Sequence, residues 1–318
     1  PTAACEPRAP GRLRARLRSP QRGSVNRFPG HNILPYALIF PTVAVIAVFL
    51  VVPFVQAIEM SFYRISPFGR VRVFVGLRNY AELLRSPEYL QSFVNTLIFC
   101  SLVIGIGLAV ALAIAVLATQ KIRGAAFYQV AFIWTYAMSP AIAGVIFALM
   151  FDPSVGIFTA ILETITGYRL NFTTDPIGAF ILVTVASIWV MLGYNICFYI
   201  AGLQNVPHEL KEAALVDGAG PWKAFWIITF PMLSPTTAFL IFVNTLYAFF
   251  MVFGMLDVVT QGGPGQTTEF LVYKIYRDGF ARLREGQASA QSVFLFLMVA
   301  SIAGFQIWTS TKRAVYSR

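Results

Sequence analysis

Charged residues are scarce in this sequence. They make up 12% of its 318 residues, whereas hydrophobic residues make up 57%, and an average soluble domain carries about 25% charge. The mean hydropathy is +0.69. Such a chain is too apolar to be intrinsically disordered, and it lacks the charge that a soluble domain of this size presents to water. The composition therefore indicates a membrane protein.

Cysteine and histidine are also rare, and their scarcity excludes several kinds of chemistry. The cysteines, Cys5, Cys100 and Cys197, include no Cys-x-x-Cys pair, so neither a disulfide framework nor a zinc site is predicted. The only histidines, His31 and His208, lie far apart in the sequence. No Gly-Lys-Ser/Thr occurs, so no Walker loop for ATP is present. We predict no catalytic residue, no metal site and no cofactor in this chain.

Long uncharged runs predict six transmembrane helices. Six intervals of 26 to 33 residues contain no Asp, Glu, Lys or Arg: 28–58, 89–120, 124–151, 176–208, 224–256 and 286–311. About 20 apolar residues cross a bilayer as a helix, so each interval accommodates one span. The predicted fold is an all-α membrane protein with six transmembrane helices, near 33–58, 91–119, 126–151, 177–203, 226–256 and 288–311. Residues 1–30 are predicted to form a disordered Arg/Pro-rich tail, and residues 31–318 the transmembrane domain.

The distribution of positive charge predicts the orientation. Seven arginines and one glutamate precede the first span, and basic segments beside a first span stay in the cytoplasm. Six spans then place the N- and C-termini in the cytoplasm, and the inner segments carry the whole net charge of +10. The pI near 9.7 is thereby explained without nucleic acid as a partner. The tail either fixes the topology or contacts anionic membrane lipid.

The predicted cytoplasmic loop between the fourth and fifth spans contains a short amphipathic helix near 207–218. Pro207 is placed to begin this helix, and Gly218 is placed to end it. Glu209 and Glu212 complement the helix dipole in its first turns. On these residues alone, the segment is either an interfacial helix that connects two spans or a docking element for a soluble partner.

This loop resembles the corresponding loop of permease subunits of ATP-binding-cassette (ABC) importers. Those subunits carry Glu-Ala-Ala, three residues, Gly, nine residues and Ile-x-Leu-Pro. The matching residues are Glu212, Ala213, Ala214, Gly218, Ile228 and Pro231, with Phe230 where the family usually has leucine. The resemblance implies the type I ABC importer permease fold, a bacterial inner-membrane location and an ATPase-coupling helix. The coupling residues that it implies are Glu212, Ala213, Ala214, Asp217 and Gly218.

Other stretches resemble the carbohydrate-importer branch of this family, which includes the maltose-type permeases. They are 74–80, 95–96, 260–264 and 288–292. Shorter strings resemble members of the branch that import glycerol 3-phosphate, namely 66–69, 217–221, 246–250 and 273–280. They imply glycerol 3-phosphate or a glycerophosphodiester as the solute, with a di- or oligosaccharide as the alternative. Alternatives from other classes are an ATP-independent channel, a secondary carrier and a membrane scaffold.

The resemblance also implies the partners of this chain. They are a second, different permease subunit that forms a heterodimer with it, two ATPase subunits that bind ATP and Mg, and an external solute-binding protein. No Asp, Glu, Lys or Arg lies deep in any predicted span, whereas ion-driven carriers usually need such groups. The energy for transport is therefore expected to come from the ATPase subunits.

Polar and aromatic residues at helical spacing on the fourth and fifth spans are candidates for a solute pathway. They are Ser187, Tyr194, Asn195, Asn244, Tyr247 and Met251. The alternative is that these side chains hold neighbouring helices together. The uncharged spans favour a neutral solute, which conflicts with the anionic glycerol 3-phosphate. Helix N-termini or a partner subunit are possible sources of the missing positive field.

Overall fold

A computed structural model describes residues 34–66, 71–119, 134–167 and 169–315. The chain divides into two compact units, one up to Pro53 and one from Phe54 onward. The Arg/Pro-rich tail predicted for residues 1–30 lies outside the described residues, as does the first part of the third predicted span.

The described part of the chain is mostly helical. Its helices in chain order are α1 (Leu34–Ile46), α2 (Val52–Ser61), α3 (Arg78–Arg85), α4 (Pro87–Ala118), α5 (Pro140–Met150), α6 (Ile157–Thr166), α7 (Pro176–Gln204), α8 (His208–Val216), α9 (Pro221–Ala224), α10 (Phe230–Met232), α11 (Ser234–Leu246), α12 (Phe253–Val259), α13 (Leu271–Tyr276) and α14 (Glu285–Val315). Wider π-helical turns occupy Ala47–Val51, Phe225–Thr229, Tyr247–Met251 and Arg277–Ala281. Two short strands, β1 (Tyr63–Ile65) and β2 (Arg72–Phe74), pair as an antiparallel hairpin that the sequence analysis did not predict.

Two of the π-helical turns lie where a proline interrupts the helical hydrogen bonding. Pro53 has no N–H for the carbonyl four residues earlier, which lies in the turn Ala47–Val51. Pro231 stands in the same relation to the turn Phe225–Thr229. A wider turn at such a point accommodates the missing hydrogen bond and the proline ring.

Helices α4 and α7 form the centre of the second unit and run parallel to each other. Near their starts, the rings of Phe99 and Phe180 lie 6.4 Å apart. Further along, Ala111 and Ala115 are fully buried in one cluster with side chains of the last turns of α7. Small residues allow this close contact between the two helices.

The two ends of the bundle carry different elements. Helices α4, α7 and α14 all begin at the end that holds the hairpin, since Tyr89 at the start of α4 packs against Phe294 near the start of α14. We call this the hairpin end. Helix α7 ends at Gln204, directly before α8. A 29-residue helix is about 44 Å long at 1.5 Å per residue, so α8 lies at the opposite end, which we call the α8 end.

Within the described residues, five helical stretches are long and apolar enough to cross a membrane. They are Tyr36–Ser61, Pro87–Ala118, Pro176–Gln204, Ser234–Met251 and Glu285–Ser310. They coincide with the first, second, fourth, fifth and sixth predicted spans. The third predicted span, 126–151, contains the short apolar helix α5, and residues 120–133 lie outside the described part of the chain. The third predicted span and the cytoplasmic position of the termini stay predictions.

The fifth predicted span differs in detail from its expectation as one helix over 226–256. The helix is interrupted at Leu233, and its long continuous stretch begins at Ser234. Pro231 and Pro235 each remove a backbone donor around this point, which explains why the uncharged interval is longer than the helix.

Candidate functional site

The predicted coupling helix is present as α8 and has well-defined ends. Pro207 directly precedes it. At its other end Gly218 has a φ of +78°, a left-handed conformation that glycine adopts without steric cost. The N–H of Gly218 donates to the carbonyl of Leu215 at 3.1 Å, and the N–H of Ala219 donates to the carbonyl of Ala214 at 2.9 Å. These two bonds form a Schellman motif, which explains why glycine stands at this position.

The acidic residues of the coupling segment lie at the surface. His208 Nδ1 and Glu212 Oε1 are 3.1 Å apart, one helical turn from each other, and both side chains are more than 60% exposed. Asp217 and Ala213 are also exposed, whereas Ala214 is half-buried. The carboxylates of Glu212 and Asp217 are therefore accessible to a partner.

Large apolar side chains around α8 are also exposed. Leu215 is 54% exposed, Val216 87% and Trp222 74%. Leu210, one turn into the helix, is 44% exposed. Apolar residues concentrated in one short polar segment are typical of an interaction surface. We call α8 together with residues 217–222 the coupling segment.

Within the predicted spans, Asn195 and Asn244 contact each other directly. The Nδ2 of Asn244 donates to Oδ1 of Asn195 at 2.8 Å, and the Nδ2 of Asn195 donates to Oδ1 of Asn244 at 3.1 Å. Asn244 also donates to the carbonyl of Leu240 at 2.8 Å. Both side chains are completely buried. In this structure the pair joins α7 to α11, which is the alternative role that the sequence left open.

Ser187 and Tyr247 are buried as well. The hydroxyl of Ser187 contacts Sδ of Met255 at 3.4 Å. Tyr247 is only 6% exposed. These two side chains therefore belong to the packed interior between α7 and the helices that follow α11.

Tyr194 and Met251 are the accessible members of the predicted pathway set. The ring of Tyr194 lies between Tyr136, with a centroid distance of 4.7 Å, and Phe198, at 4.6 Å. Phe198 in turn lies 5.1 Å from Phe239. Met251 is 65% exposed. Sequence reasoning identified Tyr194 by its helical spacing, but it did not find the row of four rings, because those residues come from three separate segments.

A buried ionic cluster at the hairpin end was not predicted. Glu269, Lys274 and Asp278 are each less than 5% exposed. The Nζ of Lys274 lies 3.5 Å from Oε1 of Glu269 and 3.6 Å from Oδ2 of Asp278. Arg277 pairs with Glu269, and Arg282 pairs with Asp278 at 2.9 Å. Buried charges persist only when they are paired in this way.

Further polar contacts tie this cluster to the neighbouring helices. Gln291 of α14 donates to Oδ2 of Asp278 at 2.7 Å, and Glu88 of α4 lies 3.8 Å from Lys274 Nζ. Burial raises the pKa of Glu269, against the opposing effect of the Lys274 and Arg277 charges. The sequence carries one signal for the cluster: Lys274, Asp278 and Arg282 alternate in sign at four-residue spacing.

No group of three or more His, Cys, Asp or Glu side chains within the described ranges is arranged to hold a metal ion. The described cysteines, Cys100 and Cys197, are unpaired.

Comparison with known families identifies the class of this protein. The model of the family described as "Binding-protein-dependent transport system inner membrane component" matches residues 171–308, a range that includes the coupling segment and both asparagines. Together with the relatives below, this match shows that the chain belongs to that family, the permeases of ABC importers. The family predicted from the coupling loop is confirmed, and so is a multi-pass membrane protein.

Several relatives carry the same description, "sn-glycerol-3-phosphate transport system permease protein UgpA". The protein from Brucella suis biovar 1 (strain 1330) is 44% identical over 290 residues, which cover 91% of this chain and 98% of that protein. The protein from Rhizobium meliloti (strain 1021) is 43% identical over 293 residues, again 91% and 98%. The protein from Yersinia pestis is 43% identical over 273 residues, or 86% and 92%.

Two solved structures share the fold. One is a bacterial ABC transporter involved in the import of the acidic polysaccharide alginate, with a TM-score of 0.76 and 23% identity over 88% of this chain and 95% of that chain. The other is a bacterial alginate ABC transporter in complex with an alginate pentasaccharide-bound periplasmic protein, with a TM-score of 0.74, 23% identity and coverages of 86% and 92%. At this identity the likeness establishes the fold alone.

Proposed function

We propose that this chain is the transmembrane permease subunit of a binding-protein-dependent ABC importer that takes up sn-glycerol 3-phosphate. The observation that carries the proposal is the 44% identity over nearly the whole length of a relative described as an sn-glycerol-3-phosphate permease. The strings at 66–69, 217–221, 246–250 and 273–280 agree with it. Glycerophosphodiesters share the phosphate and glycerol groups of this solute, so they are included in the proposed substrate class.

The proposed complex contains four kinds of component. This chain pairs with a second, different permease subunit, with two ATPase subunits that bind ATP and Mg, and with an external solute-binding protein. The chain lies in a bacterial inner membrane with its termini in the cytoplasm. One structural neighbour is a transporter in complex with a periplasmic protein, which supports the last of these partners.

The coupling segment is the proposed dock for an ATPase subunit. Its exposed apolar side chains, Leu215, Val216 and Trp222, supply area for burial against a partner. The accessible carboxylate of Glu212 supplies a charged contact. The Schellman motif at Gly218 fixes the direction in which the chain leaves α8. A movement of the ATPase subunit would then be transmitted through α7 and the segment from α9 to α11.

The row of aromatic rings with Met251 is the proposed lining of the solute pathway. Tyr194 offers a hydroxyl and an accessible aromatic face, and Met251 offers a flexible apolar side chain. The remaining members of the predicted set are buried between the helices and hold them in register: Ser187, Asn195, Asn244 and Tyr247. In this proposal the four buried residues act on the pathway through helix position rather than by contact with the solute.

Uptake by the assembled complex tests the proposed substrate. The complex is reconstituted in proteoliposomes with its solute-binding protein, and uptake of radiolabelled sn-glycerol 3-phosphate is measured with and without ATP. We expect uptake that depends on ATP. Added glycerophosphodiesters should reduce the uptake of the labelled solute, whereas added disaccharides should not. A preference for a disaccharide would overturn the substrate, whereas transport by the purified chain alone without ATP would overturn the ABC mechanism.

A further inference from the structure

A cavity of about 330 Å³ lies at the hairpin end, between strand β1, helix α3 and the start of α14. The polar side chains that line it are those of Arg64, Asn79, Arg284 and Gln287. This volume lies within the roughly 300–1,000 Å³ range of small-molecule sites. The cavity is separate from the aromatic row, and no component of the proposed function accounts for it.

The charge of this cavity is positive. The carboxylate of Glu82 pairs with Arg64 at 2.9 Å. The same carboxylate also pairs with Arg78 at 2.9 Å and accepts a hydrogen bond from Gln287 at 3.2 Å, so its negative charge is shared between two arginines. Arg284 makes no ion pair with any described residue. The charged side chains that line the cavity are therefore Arg64 and Arg284, which are both positive, and Glu82 stands beside Arg64 without lining it. The neighbouring Glu285 is exposed and does not line the cavity.

One wall of the cavity carries a buried hydrogen-bond acceptor without a partner. Asn79 is 1% exposed. Its Nδ2 donates to the carbonyls of Ser61, at 2.7 Å, and Tyr63, at 3.0 Å, and these two bonds fix which end of the amide is the oxygen. Its Oδ1 has no partner among the described residues. An unpaired buried acceptor costs free energy, which a hydroxyl donor from a ligand would remove.

Beside the cavity, the start of α14 packs closely against the backbone of β1, and a backbone hydrogen bond fixes the position of Arg284. A Cβ atom on Gly286 would come within 2.0 Å of the carbonyl oxygen of Tyr63, so only glycine fits there. Leu283 adopts a left-handed φ of +53°, which is unfavourable for a residue with a Cβ. The N–H of Arg284 donates to the carbonyl of Asp278 at 2.8 Å, and this bond anchors the strained turn to the buried ionic cluster.

We propose that this cavity binds the solute before it enters the membrane, with Arg64 and Arg284 on the phosphate and Asn79 Oδ1 accepting a glycerol hydroxyl. The ligand class is a phosphomonoester of a small polyol. This assignment rests on the proposed function, which supplies the identity of the solute and places the hairpin end on the outer side of the membrane. The positive charge of the cavity lies at the end of the bundle rather than within the uncharged spans. Arginine is well suited to phosphate because its planar donors match the phosphate oxygens.

Binding to the full chain in lipid nanodiscs tests this site directly. The probe is radiolabelled sn-glycerol 3-phosphate, with inorganic phosphate and glycerol as competitors. The variants are Arg284→Gln, Arg64→Gln and Arg284→Lys, and the matched control is Arg85→Gln, an exposed arginine of the same end that does not line the cavity. We expect roughly tenfold weaker binding for each Gln variant, since a charge-assisted hydrogen bond contributes about that factor. Arg284→Lys should retain part of the affinity, and Arg85→Gln all of it.

Competition and uptake separate this inference from the proposed function. Displacement of the probe by inorganic phosphate but not by glycerol supports recognition through the phosphate. Equal binding by wild type, Arg284→Gln and Arg64→Gln, or no binding by wild type, overturns the site. If the wild-type complex imports no sn-glycerol 3-phosphate, the proposed function fails, while the nanodisc binding still decides whether the cavity holds a phosphomonoester.

Discussion

Asn195 and Asn244 exchange two hydrogen bonds across the interface between α7 and α11, at 2.8 and 3.1 Å, with both side chains fully buried. In this arrangement the polar group of each residue satisfies that of the other. In a helix pair surrounded by apolar side chains and lipid, the exchange favours one register over its neighbours. The pair therefore fixes how the fourth and fifth predicted spans lie against each other.

Replacing one asparagine of the pair should destabilise the chain by more than half of what replacing both asparagines costs. Asn244→Ala leaves the buried amide of Asn195 without its partner, and Asn195→Ala leaves Oδ1 of Asn244 without its donor, although Nδ2 of Asn244 still donates to the carbonyl of Leu240. We expect each variant to destabilise the chain by about 1 kcal/mol. The double variant should cost less than the sum, because it leaves neither amide alone. Thermal unfolding of the detergent-solubilised chain measures this, with Ser101→Ala, an exposed side chain bonded to a backbone carbonyl of its own helix, as control. Strictly additive losses would contradict the coupling.

Glu212 is expected to act in ATPase coupling and not in folding. Its pair with His208 is exposed, and exposed i,i+4 pairs contribute only about 0.3–0.5 kcal/mol. We predict that Glu212→Gln reaches the membrane at normal levels but loses most ATP-driven uptake. The matched control is Glu209→Gln on the same helix, which should transport normally. Normal uptake by Glu212→Gln would remove Glu212 from the proposed dock.

Replacing Gly218 tests the coupling segment a second time, because the replacement changes only the backbone conformation at the end of α8. A Cβ there meets no atom within 4 Å, but φ is +78°, so Gly218→Ala costs about 1 kcal/mol through conformation and not through a clash. We expect reduced coupling, measured as uptake per ATP hydrolysed. Gly220 has equally open surroundings but a φ of −60°. If Gly220→Ala lowers coupling as much, the left-handed conformation is not the cause.

Lys274 is expected to be essential for stability at the hairpin end. Replacing it by Met leaves Glu269 and Asp278 buried with one cation fewer. Removing one partner of a buried ion pair typically costs about 3–5 kcal/mol, and the remaining arginines should reduce this to about 2–3 kcal/mol. Thermal unfolding of Lys274→Met and of the exposed control Lys223→Met distinguishes the buried cluster from a general effect of lost charge. Similar melting temperatures for the two variants would contradict it.

Stability should depend on Glu82 at low pH. Burial alone would raise the pKa of Glu82, but hydrogen bonds from Arg78, Arg64 and Gln287 bring it below its ordinary value of 4.5. A lowered folded pKa means that the unfolded state binds the proton first, so the stabilisation is present above pH 4.5 and is lost as pH falls through the folded pKa. Unfolding midpoints from pH 7 to pH 3 should fall less steeply for Glu82→Gln than for wild type. Parallel curves would refute this role.

The sequence was sufficient for features that depend on local composition. Uncharged runs long enough to cross a bilayer predicted six spans, and the described residues contain long apolar helices at five of them. The residues around Pro207 and Gly218 predicted a short helix, which is present as α8. These features could be predicted because the hydropathy of a span and the end of a helix depend on residues that are close together in the sequence.

Only the tertiary structure decided which polar groups meet. Asn195 and Asn244 are 49 positions apart, and Arg64 and Arg284 meet at one cavity from opposite ends of the sequence. In the sequence, residues 257–285 carry balanced charges and resemble an ordinary loop, whereas the fold buries Glu269, Lys274 and Asp278 together. The sequence by itself determined that this chain is a multi-pass permease with a short helix at His208–Val216. Which side chains face a solute depends on packing between distant segments, because burial and pairing energies arise only when those segments come into contact.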